Sequence, residues 1–171
     1  MTAVVRGDRS HIDGAAQVWA EATAARDGDP DVAPLENSRP IIARVLDRPR
    51  AVLVVAVDDG NQVVAFAVAA QAHDGAAHPV QDSAAATAAT AEVEYVGVSP
   101  GHWGQGLAQD VLRLMRAELA TGGFTDAQLM VYVSNGRAVD LYRRLGWQSA
   151  GSPTPHPRTG KPEQRYRLAL T

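Results

Sequence analysis

The sequence predicts one domain of the α/β class, built on a mixed β-sheet. Two β-branched runs, 51–57 and 62–70, flank a short Asp/Gly/Asn segment, which is typical of a β-hairpin turn. Later in the chain a strand over 92–98, a helix over 104–120 and a strand over 127–133 follow one another. Because a hairpin gives antiparallel strands and a strand–helix–strand unit gives parallel ones, we expect both kinds of pairing in one sheet. The length of 171 residues corresponds to one domain.

The remaining elements follow from apolar periodicity and turn residues. Ser10 can cap a helix over 11–26, in which apolar residues recur at i, i+3, i+4 and i+7. Gly122 or Gly123 can end the helix over 104–120 in a left-handed conformation. The other predicted elements are a strand over Ala3–Arg6, helices over 39–46 and 137–145, and strands near 147–151 and 165–170.

Two segments are predicted to be loops. Residues 71–91 are small, polar and rich in alanine, with too few large apolar side chains for a packed element. Residues 152–162 are rich in proline, which predicts a loop between the last two strands. We expect both loops to influence which substrate is accepted.

The composition excludes several classes of protein. The chain has no cysteine, so it has no disulfide framework, no cysteine-ligated metal and no thiol nucleophile of its own. A net charge of -3 and a pI near 5.9 argue against a general nucleic-acid binder. The histidines lack metal-ligand spacing, so no metal is expected. No long apolar run and no signal-peptide pattern are found, which predicts a cytoplasmic protein without a membrane span.

A glycine-rich turn connects the strand over 92–98 to the next helix. Gly101, Gly104 and Gly106 precede that helix, and Pro100 blocks extension of the strand. Unpaired N–H groups at a helix N-terminus attract anions, and glycine lets a phosphate approach the backbone closely. A P-loop would need a Gly-Lys-Ser/Thr sequence, and a dinucleotide fingerprint would need Gly or Ala where Gln109 stands. The turn therefore indicates either a different phosphate ligand or only a helix entered through glycine.

A second motif separates these readings. Residues 135–147 follow the pattern N-x-x-A-x-x-L-Y-x-x-x-G-aromatic, from Asn135 to Trp147. Together with the glycine turn, this pattern resembles the GNAT family of acyl-CoA N-acyltransferases. The turn resembles the family's R/Q-x-x-G-x-G/A motif, with Trp103 at a position where a family member usually has Arg or Gln. The resemblance implies a mostly antiparallel, twisted sheet of six to seven strands flanked by about four helices, over residues 1–171.

The resemblance also implies which residues bind the cofactor acetyl-CoA. The N–H groups of 104–108 would hold the pyrophosphate, so Trp103 would remove only one side chain from the motif. The pantetheine arm would pair with the strand near Val96 and Val98, and an N–H near Val96 would polarise the acetyl carbonyl. Asn135 would hydrogen-bond the pantetheine amides. The implied cofactor-binding residues are Val96, Val98, Trp103, Gly104, Gln105, Gly106, Leu107, Ala108, Asn135, Ala138 and Tyr142.

Three residues are the candidates for proton transfer. Tyr142 shares a predicted helix face with Asn135 and Ala138, so it can approach the thioester sulfur as a general acid; the alternative is a packed aromatic. Strand alternation places Glu92 and Glu94 on one face with Val96 and Val98, and leaves Val93 and Tyr95 for the core. Either glutamate could act as the general base, the alternative being a solvated strand edge. The resemblance ranks Glu92 before Glu94, because members of the family often have a glutamate at the position of Glu92.

The resulting hypothesis is an acetyl-CoA-dependent N-acetyltransferase. It would acetylate a primary amine of a small molecule by direct transfer, because no cysteine can carry the acetyl group. The alternatives are a non-catalytic CoA-binding or sensor domain of the same fold, and acetylation of a protein amine. Trp19, His156 and Arg158 could touch the acceptor, but the favoured explanations are packing in the core for Trp19 and a solvated loop for His156 and Arg158. A homodimer is common in the family and is a further expectation.

Overall fold

A computed structural model of the chain describes residues 1–73 and 89–170. These residues include four α-helices and seven β-strands. No helix within them is both long and apolar enough to cross a bilayer. In chain order the elements are β1 (Ala3–Arg6), α1 (Ile12–Asp27), α2 (Leu35–Leu46), β2 (Val52–Val57), β3 (Val63–Gln71), β4 (Thr90–Val98), α3 (Leu107–Thr121), β5 (Asp126–Tyr132), α4 (Gly136–Arg144), β6 (Gln148–Pro155) and β7 (Pro162–Ala169).

All seven strands form one sheet, in the order β1-β2-β3-β4-β5-β7-β6. Five neighbouring pairs are antiparallel, and β4 and β5 are parallel. The parallel pair is the one that α3 connects, as a crossover connection requires. This architecture confirms the predicted mixed, mostly antiparallel sheet with about four flanking helices.

Hydrophobic clusters cover both faces of the sheet. On one face, α3 and α4 pack against alternate residues of β2, β3, β5 and β7, including Val54 and Leu129. On the other face, α1 and α2 pack against the intervening residues, and Phe66 is completely buried there. Burying a side chain of this size contributes about 1.5–3 kcal/mol. The central strands β2 and β3 are therefore fixed from both sides, and they support β4.

The parallel pair β4–β5 is short, and the two strands then separate. Their register pairs run only from Thr90–Asp126 to Glu92–Gln128. Just beyond that point β4 has a β-bulge, since Val68 pairs with Tyr95 and Ala69 pairs with Val93, leaving Glu94 as the extra residue. The bulge turns β4 away from β5, so the later part of β4 has one unpaired edge that faces a gap in the sheet.

Three boundaries differ from the sequence prediction. The second helix begins at Leu35 instead of residue 39, because the chain continues helically across Pro40. The third begins at Leu107 instead of 104, since Gly104 and Gly106 have φ near +80°. The prediction of a loop over the whole of 152–162 is wrong, because β6 continues to Pro155 and β7 begins at Pro162.

The two proline-containing strands have a simple explanation. β6 is an edge strand of the sheet, where a missing backbone N–H leaves no ladder partner unsatisfied, and Pro162 is the first residue of the inner strand β7. The prediction of a loop over the whole of 71–91 is wrong at both ends, since β3 includes Gln71 and β4 starts at Thr90. The rest of that prediction, over 74–88, lies outside the described residues.

Candidate active site

A cleft of about 800 Å³ lies where β4 and β5 separate. Its walls come from four elements: the last turns of α1, the unpaired edge of β4, the glycine turn before α3, and α4. The predicted cofactor residues that line it are Val96, Val98, Trp103, Gly104, Gly106, Leu107, Ala108, Asn135, Ala138 and Tyr142. The structure thus brings both sequence motifs to one cleft. Gln105 is the exception, because its side chain lines a separate concavity with Asp58 and His102.

The glycine turn presents the N-terminus of α3 to the cleft. Gly104 and Gly106 have φ of 80° and 79°, a left-handed conformation in which side chains with a Cβ are strained. A Cβ added at either glycine would meet nothing within 4 Å, so backbone conformation and not packing requires glycine here. Leu107 starts the helix, and the first amides have no carbonyl four residues earlier in a helical turn. These donors and the helix dipole make the end of the cleft a suitable place for a phosphate.

Trp103 does more than fill the position of the usual Arg or Gln. Its indole Nε1 donates a 2.8 Å hydrogen bond to the carbonyl of Val98, which ties the glycine turn to the end of β4. The guanidinium of Arg137 lies 5.5 Å from the centre of the Trp103 ring. The motif has no arginine at position 103. Arg137, at the start of α4, instead brings a positive charge to the ring of Trp103.

Asn135 has a structural role of its own. It is the N-cap of α4, and its Oδ1 accepts a 3.3 Å hydrogen bond from the N–H of Ala138. The cap fixes the direction in which α4 leaves β5, and both residues line the cleft. Because capping uses the amide oxygen, the Nδ2 group remains as the donor for a ligand. The expected contact with pantetheine amides stays a prediction.

Tyr142 lies at the inner wall of the cleft and is only 7% exposed. Its ring packs against Trp147 and Tyr166, with centroid distances of 5.9 Å and 6.5 Å. Burial raises the pKa of its hydroxyl to about 12. Both interpretations of Tyr142, a cleft residue and a packed aromatic, describe part of its position. Tyr142 belongs to the hydrophobic cluster, whereas Leu141 is half-buried and lines the cleft as well.

Glu92 occupies the point at which β4 and β5 separate, although it is not among the residues lining the cleft. Its side chain is 8% exposed, and its Oε2 lies 3.8 Å from Nη1 of Arg165 on β7. Burial, followed by the charge of Glu94, raises the pKa of Glu92 to about 7. A hydrogen bond with Gln128 and the charges of Arg165 and Arg48 oppose that rise. The carboxyl is therefore half-ionised near neutral pH, which suits an acid–base group.

Glu94 on β4 forms an ion pair with Arg48, which follows the end of α2. Its Oε1 lies 2.6 Å from Nη1 of Arg48, and that arginine also donates a 2.7 Å hydrogen bond to the carbonyl of Gln71. The prediction that simple alternation places Glu92 and Glu94 on one face with Val96 and Val98 is wrong. The bulge at Glu94 interrupts the alternation.

The packing on the two faces of β4 shows this interruption. Val93, Val96 and Val98 pack against the α3/α4 face, while Tyr95 packs against the α1/α2 face. Val93 therefore lies on the same face as Val96 and Val98, although alternation places it on the opposite face with Tyr95. Without the bulge, Val93 and Tyr95 would have been in the same cluster.

Several cleft residues could not be found from motifs. Arg26 from α1 and Arg144 from α4 line the cleft together with Arg137, and these three cations outnumber Asp140, the acidic residue of the lining, which suits a phosphorylated ligand. Trp19 is half-buried, lines the cleft and packs edge-on against Tyr95 with a centroid distance of 5.0 Å. Trp19 and Arg26 belong to α1, which carries no family motif, and the packing of α1 beside β4 brings them to the cleft. Arg144 lies on α4, but at a position that the motif does not specify.

The β6–β7 connection closes one side of this region. Its His156 ring lies 5.5 Å from the ring of Tyr132, at the end of β5, and Thr159 hydrogen-bonds the Tyr132 hydroxyl at 3.2 Å. Arg26 lies 5.8 Å from the centre of the same ring. The tip of the hairpin and the end of α1 are thus both fixed at Tyr132. Within 1–73 and 89–170, no group of three or more acidic or histidine side chains could hold a metal ion.

The arrangement can bind a long, phosphorylated ligand and handle protons at its inner end. Phosphate groups fit at the start of α3, and an extended arm fits along the unpaired edge of β4, as an added strand would. Tyr142, a phenol that stays protonated, lies at the inner wall of the cleft, and the half-ionised carboxyl of Glu92 lies on β4 where the strands separate, outside the residues that line the cleft. Such a pair suits a reaction in which Glu92 accepts a proton and the Tyr142 hydroxyl stabilises a leaving group by donating a hydrogen bond.

Comparisons with known proteins agree with this reading. The sequence model of the "Acetyltransferase (GNAT) family" matches residues 16–147. A comparison with curated protein sequences gives no match. Both sequence motifs and the entire cleft lie within the matched region.

Many solved structures share the fold. The ribosomal-protein-S18-alanine N-acetyltransferase from Escherichia coli has a TM-score of 0.73 and 21% identity, with 100% of this chain and 95% of that chain covered. A GCN5-related N-acetyltransferase from Kribbella flavida has a TM-score of 0.69 and 20% identity, covering 98% and 97%. A protein from Salmonella typhimurium, solved with acetyl-CoA as its cofactor, has a TM-score of 0.71 and 18% identity, covering 99% and 94%. At these identities the similarity concerns the fold.

Proposed function

This chain belongs to the GNAT acetyltransferase family, and from that premise we propose that it transfers an acetyl group from acetyl-CoA to a primary amine of a small molecule. The amine would attack the thioester directly in a ternary complex. No cysteine exists to form an acyl-enzyme, which supports direct attack. The alternative acceptor is a protein amine, and the alternative role is CoA binding without transfer.

The donor would occupy the cleft. Its pyrophosphate would accept hydrogen bonds from the N–H groups of 104–108, with Arg137 beside it. Its pantetheine arm would run along Val96 and Val98, where β4 has no strand neighbour. Asn135 and Ala138 would contact the arm from the start of α4. This placement directs the thioester toward the point where the strands separate.

The chemical step makes one C–N bond and breaks one C–S bond. The lone pair of the neutral amine adds to the acetyl carbonyl, and a backbone N–H near Val96 stabilises the oxyanion. Collapse of the tetrahedral species expels the CoA thiolate, and the nitrogen loses one proton. Glu92 would accept that proton directly or through a water, since its pKa of about 7 leaves much of it ionised at neutral pH.

Tyr142 would serve the leaving thiolate. Because burial raises its pKa to about 12, its hydroxyl remains protonated throughout the working pH range. A thiol has a pKa of about 8.5, so complete transfer of the phenol proton to a free thiolate is uphill. The useful contribution is therefore a hydrogen bond from the Tyr142 hydroxyl to the sulfur while the C–S bond breaks, and the released thiolate then takes its proton from water.

The separation of β4 from β5 beside the glycine turn is the single observation that carries this proposal. Mixing the protein with acetyl-CoA and a panel of amines, including a peptide with a free N-terminus, tests it by thiol release and by product mass. We expect thiol release that depends on a small-molecule amine. Binding of CoA without release under any condition would leave the sensor role, and release with the peptide alone would identify a protein acceptor.

Calorimetry with CoA, ATP and NAD tests the ligand class separately. A P-loop or dinucleotide site would prefer ATP or NAD, whereas the cleft should bind CoA selectively. Equal binding of all three ligands would contradict a site shaped for pantetheine.

A further inference from the structure

The last turns of α1 form one wall of the cleft, on the opposite face of the sheet from α3 and α4. Five residues of this helix line the cleft, and their spacing of three or four places them along one side of it. We call them the α1 wall, and they are Trp19, Ala22, Thr23, Ala25 and Arg26. No sequence motif and no step of the proposed reaction uses them so far.

The polar groups of the α1 wall are already bonded within the helix. The Thr23 hydroxyl donates a 2.7 Å hydrogen bond to the carbonyl of Trp19, and Thr23 is only 2% exposed. Nε and Nη2 of Arg26 donate hydrogen bonds of 2.8 Å and 2.9 Å to the two carboxylate oxygens of Asp27. The helix also ends here, at Asp27, and a helix C-terminus disfavours anions. The phosphates of a donor therefore fit at the start of α3, and the α1 wall is left for the second substrate.

The surface that the α1 wall leaves open is mainly apolar. Trp19 is half-buried, and its ring lies edge-on against Tyr95 and Phe66, with centroid distances of 5.0 Å and 6.3 Å, which fixes its position. Ala22 is half-buried and Ala25 is exposed, and each adds only a methyl group beside the ring. Covering such a surface with an apolar group is favourable, because both partners leave water.

A second polar group on the acceptor would find no partner on this wall. A hydroxyl or an ammonium placed there would lose water without gaining a hydrogen bond, which is costly. Across the cleft, the acidic residue of the lining is Asp140, and it lies on α4 three residues from Arg137 and four from Arg144, which also line the cleft. The cleft therefore suits an amine that carries one charge, at the reacting nitrogen.

We propose that the acceptor is a primary monoamine whose remaining part is an apolar alkyl or aryl group packed against Trp19. The proposal rests on the acetyl transfer proposed above and specifies the substrate class of that site. The amine would point to the place where β4 and β5 separate, and the apolar part would lie along Ala22 and Ala25. Burial of the apolar part would orient the amine without a charged contact.

Amines of equal length test this proposal. Pentylamine ends in a methyl group, 4-aminobutan-1-ol in a hydroxyl and 1,4-diaminobutane in a second ammonium, and each is assayed with acetyl-CoA by thiol release. We expect kcat/KM for pentylamine to be at least about tenfold higher than for either of the others, since an apolar wall offers no partner to the hydroxyl or the ammonium. Trp19→Ala should remove most of this preference, and Trp19→Phe, which keeps an aromatic ring, should retain part of it.

A charge placed on the α1 wall gives a second test that does not disturb the core. Ala25 is exposed, so Ala25→Glu adds a carboxylate there and should raise kcat/KM for 1,4-diaminobutane relative to pentylamine by about fivefold or more. Ala25→Gln, of the same size without the charge, should not. Gln17→Glu is the matched control for the charge alone, since Gln17 is exposed on α1 outside the cleft lining, and it should leave the ratio unchanged. An unchanged ratio in Ala25→Glu would show that the acceptor does not lie along this wall.

The outcomes also separate this proposal from its rivals. If the α1 wall packed the pantetheine arm instead, Trp19→Ala would raise the KM for acetyl-CoA and leave the ratios between the amines unchanged, which would overturn the substrate class. Transfer to the polar amines at rates equal to or above that of pentylamine would overturn it as well, while leaving acetyl transfer intact. Binding of acetyl-CoA with no transfer to any amine would overturn both proposals.

Discussion

Oε2 of Glu92 and Nη1 of Arg165 lie 3.8 Å apart, within ion-pair distance and beyond hydrogen-bond distance, and both atoms are buried. Such a pair attracts without a hydrogen bond between its two members. The carboxyl therefore keeps a pKa of about 7 in spite of the neighbouring cation, because burial and Glu94 act in the other direction.

The first prediction concerns Glu92 and the pH dependence of activity. If Glu92 is the base, kcat/KM should fall as pH decreases through about 7, where its carboxylate becomes protonated. Glu92→Gln should lose this limb and need higher pH for activity, because the ammonium must then deprotonate in solution. Rates measured from pH 5.5 to 9.5 check this, and an unchanged profile would exclude Glu92 as the base.

The second prediction concerns Glu92 and stability. Its folded pKa of about 7 exceeds the ordinary value of 4.5, so the folded state binds the proton more tightly than the unfolded state does. This contribution to stability is complete below pH 4.5 and is lost as pH rises through about 7. Glu92→Gln, which is always neutral, should therefore gain on the order of 2–3 kcal/mol relative to the natural protein between pH 5 and pH 8.5. Urea unfolding at the two pH values measures it, and a gain toward low pH would contradict the sign.

The third prediction concerns Tyr142. Tyr142→Phe keeps the ring packing against Trp147 and Tyr166 and removes only the hydroxyl. We expect kcat to fall by roughly 10²-fold, the lower range for loss of a positioned proton donor. The affinity for CoA, measured by calorimetry, should change little. A variant that turns over normally would remove Tyr142 from the mechanism, and a variant that loses both CoA affinity and stability would point to packing as its main role.

The fourth prediction concerns the glycine turn. Gly106→Ala should weaken CoA binding and lower stability by about 1–2 kcal/mol, because its φ of 79° strains a residue with a Cβ. Gly101→Ala is the matched control, since Gly101 lies in the same turn, is not among the positive-φ glycines, and has nothing within 4 Å of an added Cβ. Equal effects of the two substitutions on CoA affinity would contradict a role for the left-handed conformation.

The fifth prediction concerns Arg137, which lies over Trp103. Arg137→Ala should weaken CoA binding several-fold at low salt, and the difference should shrink at about 0.5 M NaCl, because Arg137 is exposed and its charge is screened. The natural protein and the variant are compared by calorimetry at both salt concentrations. A difference that persists unchanged at high salt would indicate loss of the ring contact and not of the charge.

Much of the fold could be predicted from the sequence because its signals are local. The hairpin between β2 and β3, the crossover through α3 and the two motifs depend on turn residues and periodicity, and all are found in the structure. The bulge at Glu94 could not be predicted, since it arises from how β3 and β4 pair across the sheet. Simple alternation therefore assigned the wrong faces to the residues of β4.

The side chains around Glu92 were beyond sequence analysis for the same reason. Arg165 is about 70 residues away from Glu92 in sequence, and only the strand order β4-β5-β7 brings the two together. Neither Arg165 nor Arg48 belongs to a family motif. Tyr142 illustrates the other limit, because its motif predicted a cleft residue and the structure shows that the same side chain also closes the core.

The gap between β4 and β5 has a kinetic consequence. The cleft is lined by the last turns of α1 and by the starts of α3 and α4, and Glu92 lies where β4 and β5 separate. A donor bound along the edge of β4 and an amine that attacks its thioester would occupy different parts of this gap. We therefore expect CoA to inhibit competitively against acetyl-CoA but not against the amine, and initial-rate plots for the two substrates to intersect instead of running parallel.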